Sequence, residues 1–228
     1  MTEKQYPSKL GRILALILMG LTVFFTLVGG IGTTCVAFGA ENYDGMEGLI
    51  PFKPLYQILV VLSIAAGIWG IPIMVSLVRG GDKAYRNALI VLIAGAVTSG
   101  IQTAVSQSVR GSSAPANVRF AVTLFTLIVF LIFRIPSIWR RMMFDHSLKG
   151  DPAKTAGGAA FAICGIMTST APLWVAQTHM EPWISGIRTP LMIVGLALML
   201  AGVALLTTET WQLWTHRMMP TKSSIAVQ

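Results

Sequence analysis

The sequence predicts an all-α, polytopic membrane protein with six transmembrane helices. Three observations carry that reading. Six long apolar stretches fill most of the 228 residues. Charged residues make up only 11% of the chain and lie almost entirely between those stretches, whereas a soluble domain of this size carries about twice that share. The basic residues, finally, alternate from gap to gap, as they do in chains that cross a bilayer repeatedly.

A helix needs roughly 20 apolar residues to cross a hydrocarbon core of about 30 Å. By that measure the spans are 13–38, 55–78, 88–109, 118–138, 156–175 and 190–206. The first follows Lys4, Lys9 and Arg12, a basic start resembling that of a signal peptide. Its apolar run is too long for one, and no small-residue cleavage site precedes a soluble segment, so a retained helix is expected. Its length lets it tilt or run past the membrane. The 40–54 loop then brings Glu41, Asp44 and Glu47. Their spacing is not that of a calcium loop, and solvated charge is the better reading.

The second span holds Trp69 well inside it, and Arg79, Lys83 and Arg86 follow. The third carries the clearest polar face: Thr98, Ser99, Gln102, Thr103, Ser106 and Gln107 crowd one half, and Ser99, Gln102 and Ser106 share a side by helical spacing. An amide facing lipid has no partner, so Gln102 is expected to face the interior. The fourth span ends near Arg134, the candidate intramembrane charge. It either snorkels to the headgroups or pairs within the bundle, where Glu209 is the nearest acid. Lys149-Gly150-Asp151-Pro152 reads as a turn into the fifth span, with proline in a first helical turn. That span contributes Thr168, Ser169 and Thr170 ahead of Pro172. The sixth is short and is expected to continue through Thr207 and Thr208. Residues 1–220 thus form a single membrane domain, and the tail 221–228 is expected to lack order.

Thirteen of the seventeen Lys and Arg fall on the side of the two termini, against Lys53, Arg110, Arg119 and Arg188 on the other. The positive-inside rule puts both termini in the cytoplasm, and a bacterial plasma membrane is the expected location. The same asymmetry accounts for the net charge of +8. Nucleic acid is excluded as a partner, since no basic stripe interleaved with aromatics lies outside the membrane. The lipid bilayer is the partner, with anionic headgroups at the cytoplasmic face, together with a membrane-protein partner or a second copy of the chain. Trp139, Trp174, Trp183, Trp211 and Trp214 fall at the predicted interfaces, where amphipathic rings sit.

A pattern recurs along the chain. Ile71-Pro72, Gly81-Asp82-x-Ala84 and Gly95-x-x-Thr98-Ser99 are followed in the same order by Ile135-Pro136, Gly150-Asp151-x-Ala153 and Gly165-x-x-Thr168-Ser169, and the first span holds Gly30-x-x-Thr33-Thr34. Two readings stay open. One is a duplicated helical hairpin, of the kind that builds transporter cavities. The other is convergence among residues common in membrane helices.

Catalytic signatures are missing from the sequence. No Asp or Glu lies deep in a predicted span, as a proton-driven carrier requires. Paired histidines at metal-binding spacing do not occur, and Cys35 and Cys164 form no Cys-x-x-Cys motif. No haem, flavin or metal is expected. Thr33, Thr34, Thr98, Ser99, Gln102, Ser106, Thr168 and Ser169 all fall in one half of the membrane and are the candidates for a polar cavity. Hydroxyls that only bond back to their own helices explain the same residues. The leading expectation is a non-enzymatic subunit, scaffold or assembly factor of a membrane complex. The alternative is a transporter or channel for a small neutral or lipophilic solute.

Overall fold

The computed structural model describes residues 9–142, 144, 151–175 and 183–218. His146, Lys149, His179 and the tail 221–228 lie outside the described residues. So do the side chains of Asp151, Trp174, Trp183, Glu209, Trp211, Trp214, His216 and Arg217. The described residues are 90% helical and include six helices long and apolar enough to cross a membrane. It is an integral membrane protein.

The elements are α1 (Lys9–Gly32), α2 (Thr34–Gly39), α3 (Lys53–Arg79), α4 (Ala84–Arg110), α5 (Ala116–Phe133), α6 (Pro136–Met142), α7 (Asp151–Val175) and α8 (Trp183–Met218). α1 and α2 are nearly continuous, joined at Thr33, and the apolar span they form runs Leu10–Asn42. α3 and α4 each stop at a glycine in the left-handed region, Gly80 at φ 76° and Gly111 at φ 65°. There the amide bonds back to the last turn, Gly80 to Ser76 and Gly111 to Gln107, both at 3.0 Å. The fourth predicted span does not run on to residue 138. Proline disfavours helical backbone in the residue before it, so α5 ends at Phe133 and Pro136 opens a separate short helix. The sixth helix is longer than expected and extends to Met218.

α1 is the central helix and packs against α3, α5 and α7. α4 closes the opposite side by packing on α3 and α5. This packing does not repeat. α3 and α4 form a close hairpin, but α7 pairs with α8 and α1 instead of α5. The two Gly-x-x-Thr-Ser segments therefore meet different neighbours: a Cβ on Gly95 would face Thr123 of α5, and one on Gly165 would strike α8. At Gly165 that Cβ would lie 2.6 Å from the Gly195 carbonyl oxygen and 2.8 Å from Met199 Cα. The α7 and α8 backbones are thus in direct contact, which glycine alone permits.

The two ends of the bundle differ. At the end holding the α3–α4 turn, Leu16, Met19, Ile73, Leu77, Phe130 and Phe133 pack into one buried core. Tyr85 stacks on Phe130 and donates its hydroxyl to the Phe130 carbonyl at 2.5 Å. At the other end the 40–54 segment is folded, while Glu41, Asp44 and Glu47 stay exposed, as the solvated-charge reading expected. Its 3-10 turns at Ala40–Asn42 and Glu47–Phe52 bury Met46 and Leu49 against Val36, Tyr56 and Val60. Its carboxylates do not converge: Glu41 pairs with Lys53 at 2.8 Å, while Glu47 accepts the Gly45 amide. Large apolar side chains, among them Val61, Trp69, Ile93, Phe125 and Ile193, remain exposed around the bundle. A surface this apolar belongs in lipid, and Trp69 looks into the acyl region from mid-helix.

Candidate functional site

The site is assembled from four helices near the 40–54 cap, and an arginine joins them. Arg119 lies in the first turn of α5 yet is only 3% exposed. By sequence it counts only among the four basic residues on the outer side, at the start of the fourth span. Its Nη1 donates to Ser63 Oγ on α3 at 3.1 Å, and its Nη2 to Gln102 Oε1 on α4 at 2.5 Å. Gln102 Nε2 then donates to Thr33 Oγ1 at 2.8 Å, and Thr33 donates to the Gly29 carbonyl of α1 at 2.6 Å. The polarity of this chain is forced. A guanidinium can only donate, so the Gln102 oxygen must face it. The amide nitrogen is then left to donate to Thr33, whose proton goes on to Gly29.

Gly29 makes room for the arginine. A Cβ there would lie 2.9 Å from Arg119 Cδ. Arg119 Nε is buried and has no hydrogen-bond partner among the described residues. The only ion pair among the described residues is Lys53–Glu41, so no carboxylate neutralises the guanidinium. Burying an uncompensated charge is costly, which sets this residue apart from a packing arginine.

Arg119 lines a cavity of about 270 Å³. Gln102, Thr33 and Ser106 share its polar side, and the Ser106 hydroxyl lies 2.6 Å from the Tyr56 hydroxyl. Arg110, at the end of α4, is the second cation at the cavity. The other walls are apolar, with Phe25 and Val28 of α1, Met167 and Ala171 of α7 and Leu191 of α8. The cavity occupies the notch left where α5 and α7 flank α1 without packing on each other. Val28 and Ile31, on the α1 side of that notch, are 48% and 61% exposed. An opening edged by exposed aliphatic side chains faces acyl chains more readily than water.

Of the eight residues singled out by sequence, Thr33, Gln102, Ser106 and Thr168 line this cavity. The others do not. Thr98 and Ser99 are buried but bond back to the carbonyls of Ala94 and Gly95, and Thr34 and Ser169 bond to Ile31 and Ile166. Arg134 is exposed at the end of α5 and lines a shallow groove with Arg86 and Trp139 at the opposite end of the bundle. Among the described residues the buried arginines are Arg119 and Arg12, the latter donating to the Leu77 carbonyl at 2.8 Å. No family model, curated protein or solved structure matches this chain. Whatever function is assigned therefore rests on the geometry of this site. Sequence reasoning passed over Arg119, Ser63 and Tyr56. The signal that points to them is mutual: Gln102 needs a partner, and Gly29 lies one helical turn before Thr33.

Proposed function

We propose that this protein is a carrier for a small lipophilic solute, which it takes up from the bilayer through the notch between α5 and α7. One observation carries the reading. A cavity with a buried polar chain along one side occupies one half of the bundle, while a large apolar core fills the other half. An access path from one side only, with the opposite side sealed, is one of the two states that alternating access needs. In the orientation drawn from the basic residues, both termini are cytoplasmic and the cavity lies in the outer half of the membrane. A bacterial plasma membrane fits that arrangement, with Arg86, Arg134 and Trp139 meeting the inner headgroups.

The subunit or scaffold reading is favoured by a different observation. α8 packs mainly on α7, and within its spanning stretch Arg188–Thr208 only Gly195 and Gly202 are buried. That leaves most of a long apolar helix for lipid or for a partner.

Purification in mild detergent followed by mass spectrometry of both proteins and extracted small molecules separates the two. The carrier reading expects a lipophilic molecule near one equivalent, lost in Met167→Trp, which fills the cavity. A stoichiometric protein partner with no such molecule would overturn it in favour of the subunit reading.

A further inference from the structure

We infer that the solute is an amphipathic anion, a single-chain molecule whose carboxylate or phosphate head is held by Arg119. This inference rests on the carrier reading, since it assigns the ligand class of the same cavity.

The charge balance of the cavity points to it. Arg119 on α5 and Arg110 on α4 both line the space, and none of its described lining residues is an Asp or Glu. The neighbours facing Arg119 from the other helices are neutral: Ser63, Gln102, Thr33 and the Gly29 backbone. The donor count agrees. A guanidinium offers five N–H groups in a planar fork. Ser63 and Gln102 each take one, leaving a second N–H on each of Nη1 and Nη2. A fork with unused donors beside a cavity matches the geometry of a carboxylate or phosphate head.

The walls define the rest of the ligand. Past the guanidinium they are apolar, running from Phe25 and Val28 to Met167, Ala171 and Leu191. A fully polar anion would leave those walls wet, whereas a head joined to a hydrocarbon chain satisfies both. At about 270 Å³ the cavity lies just under the roughly 300–1,000 Å³ usual for ligand sites. That suits one slender chain, with its end passing into the bilayer through the notch, better than a two-chain lipid.

The test uses the full chain in nanodiscs of neutral lipid. Binding of decanoate, monodecyl phosphate and decanol is read by native mass spectrometry after release. The expected result is that decanoate, monodecyl phosphate or both bind at least about tenfold more tightly than decanol, the scale of one charge-assisted bond. Which head is preferred identifies the ligand class. Arg119→Gln should erase that preference, bringing decanoate and monodecyl phosphate to the level of decanol. Arg119→Lys, which keeps the charge without the fork, should retain part of it and guards against misfolding of the first variant. Met167→Trp should abolish all binding. Equal binding of decanol and both anions to the unaltered protein overturns the anion inference while leaving the carrier reading standing. No binding of any of the three, and no difference made by Met167→Trp, overturns both.

Discussion

Gln102→Leu tests the buried chain directly. The substitution is nearly isosteric and removes two hydrogen bonds, from Arg119 Nη2 and to Thr33 Oγ1. Thr33 keeps its own bond to Gly29, so the main loss falls on the guanidinium. A hydrogen bond to a charged group is worth about 1.5–3 kcal/mol. Burying a leucine in place of an amide returns about 1 kcal/mol. The expected net cost is therefore about 0.5–2 kcal/mol. Arg119→Met strands the Gln102 oxygen but also removes a buried uncompensated charge, so it is expected to cost less than Gln102→Leu. The double variant removes donor and acceptor together, leaving neither stranded. It should be destabilised by less than the sum of the two single changes, with a coupling of about 1–3 kcal/mol. Unfolding free energies in mixed micelles, titrated with a denaturing detergent, give all four corners of the cycle. Strict additivity, or a Gln102→Leu variant as stable as the original, would show that Arg119 and Gln102 do not depend on each other.

Three further predictions concern the frame around the site. Gly165→Val should force α7 and α8 apart, because its side chain would meet the Gly195 carbonyl and the Met199 backbone; loss of a disulfide engineered between the two helices is the readout, and retention of normal cross-linking would contradict the backbone contact. Leu49→Ala should cost about 2–5 kcal/mol, since Leu49 is fully buried in the cap; a change within about 0.5 kcal/mol would mean the segment is only a solvated loop. In a background lacking Cys35 and Cys164, a cysteine at Asp44 should react with an impermeant thiol reagent from outside and one at Lys83 should not, and the opposite pattern would reverse the proposed orientation.

The helices were legible in the sequence because the membrane imposes a length and a composition on each, and both are local. Helix ends were legible where glycine or proline marks them, except that Ile135-Pro136 was read through as continuous span. The folding of the 40–54 segment was not legible. Met46 stands among acids and glycines, and the core that buries it with Leu49 comes from Val36, Tyr56 and Val60 on the flanking helices and from Val105 and Val109 of α4, far along the chain. The site was half legible. Gln102 announced itself, since an amide at depth needs partners wherever it sits. Arg119 did not, because an arginine in the first turn of a span ordinarily snorkels to the surface. Its burial depends on Ser63, Gln102 and a missing side chain at Gly29, on three other helices. No window along the chain contains that information. The repeat stayed open in the sequence for the same reason: the motifs are alike, but their neighbours are set by packing.

The most direct measurement is an experimental structure of the protein in nanodiscs formed from its own native membrane. Elongated density should lie along α1 between α5 and α7, with its head within hydrogen-bond distance of Arg119 and its tail past Met167 toward the bilayer. Arg119 turned out to the headgroups, with side chains closing the notch, would contradict the account.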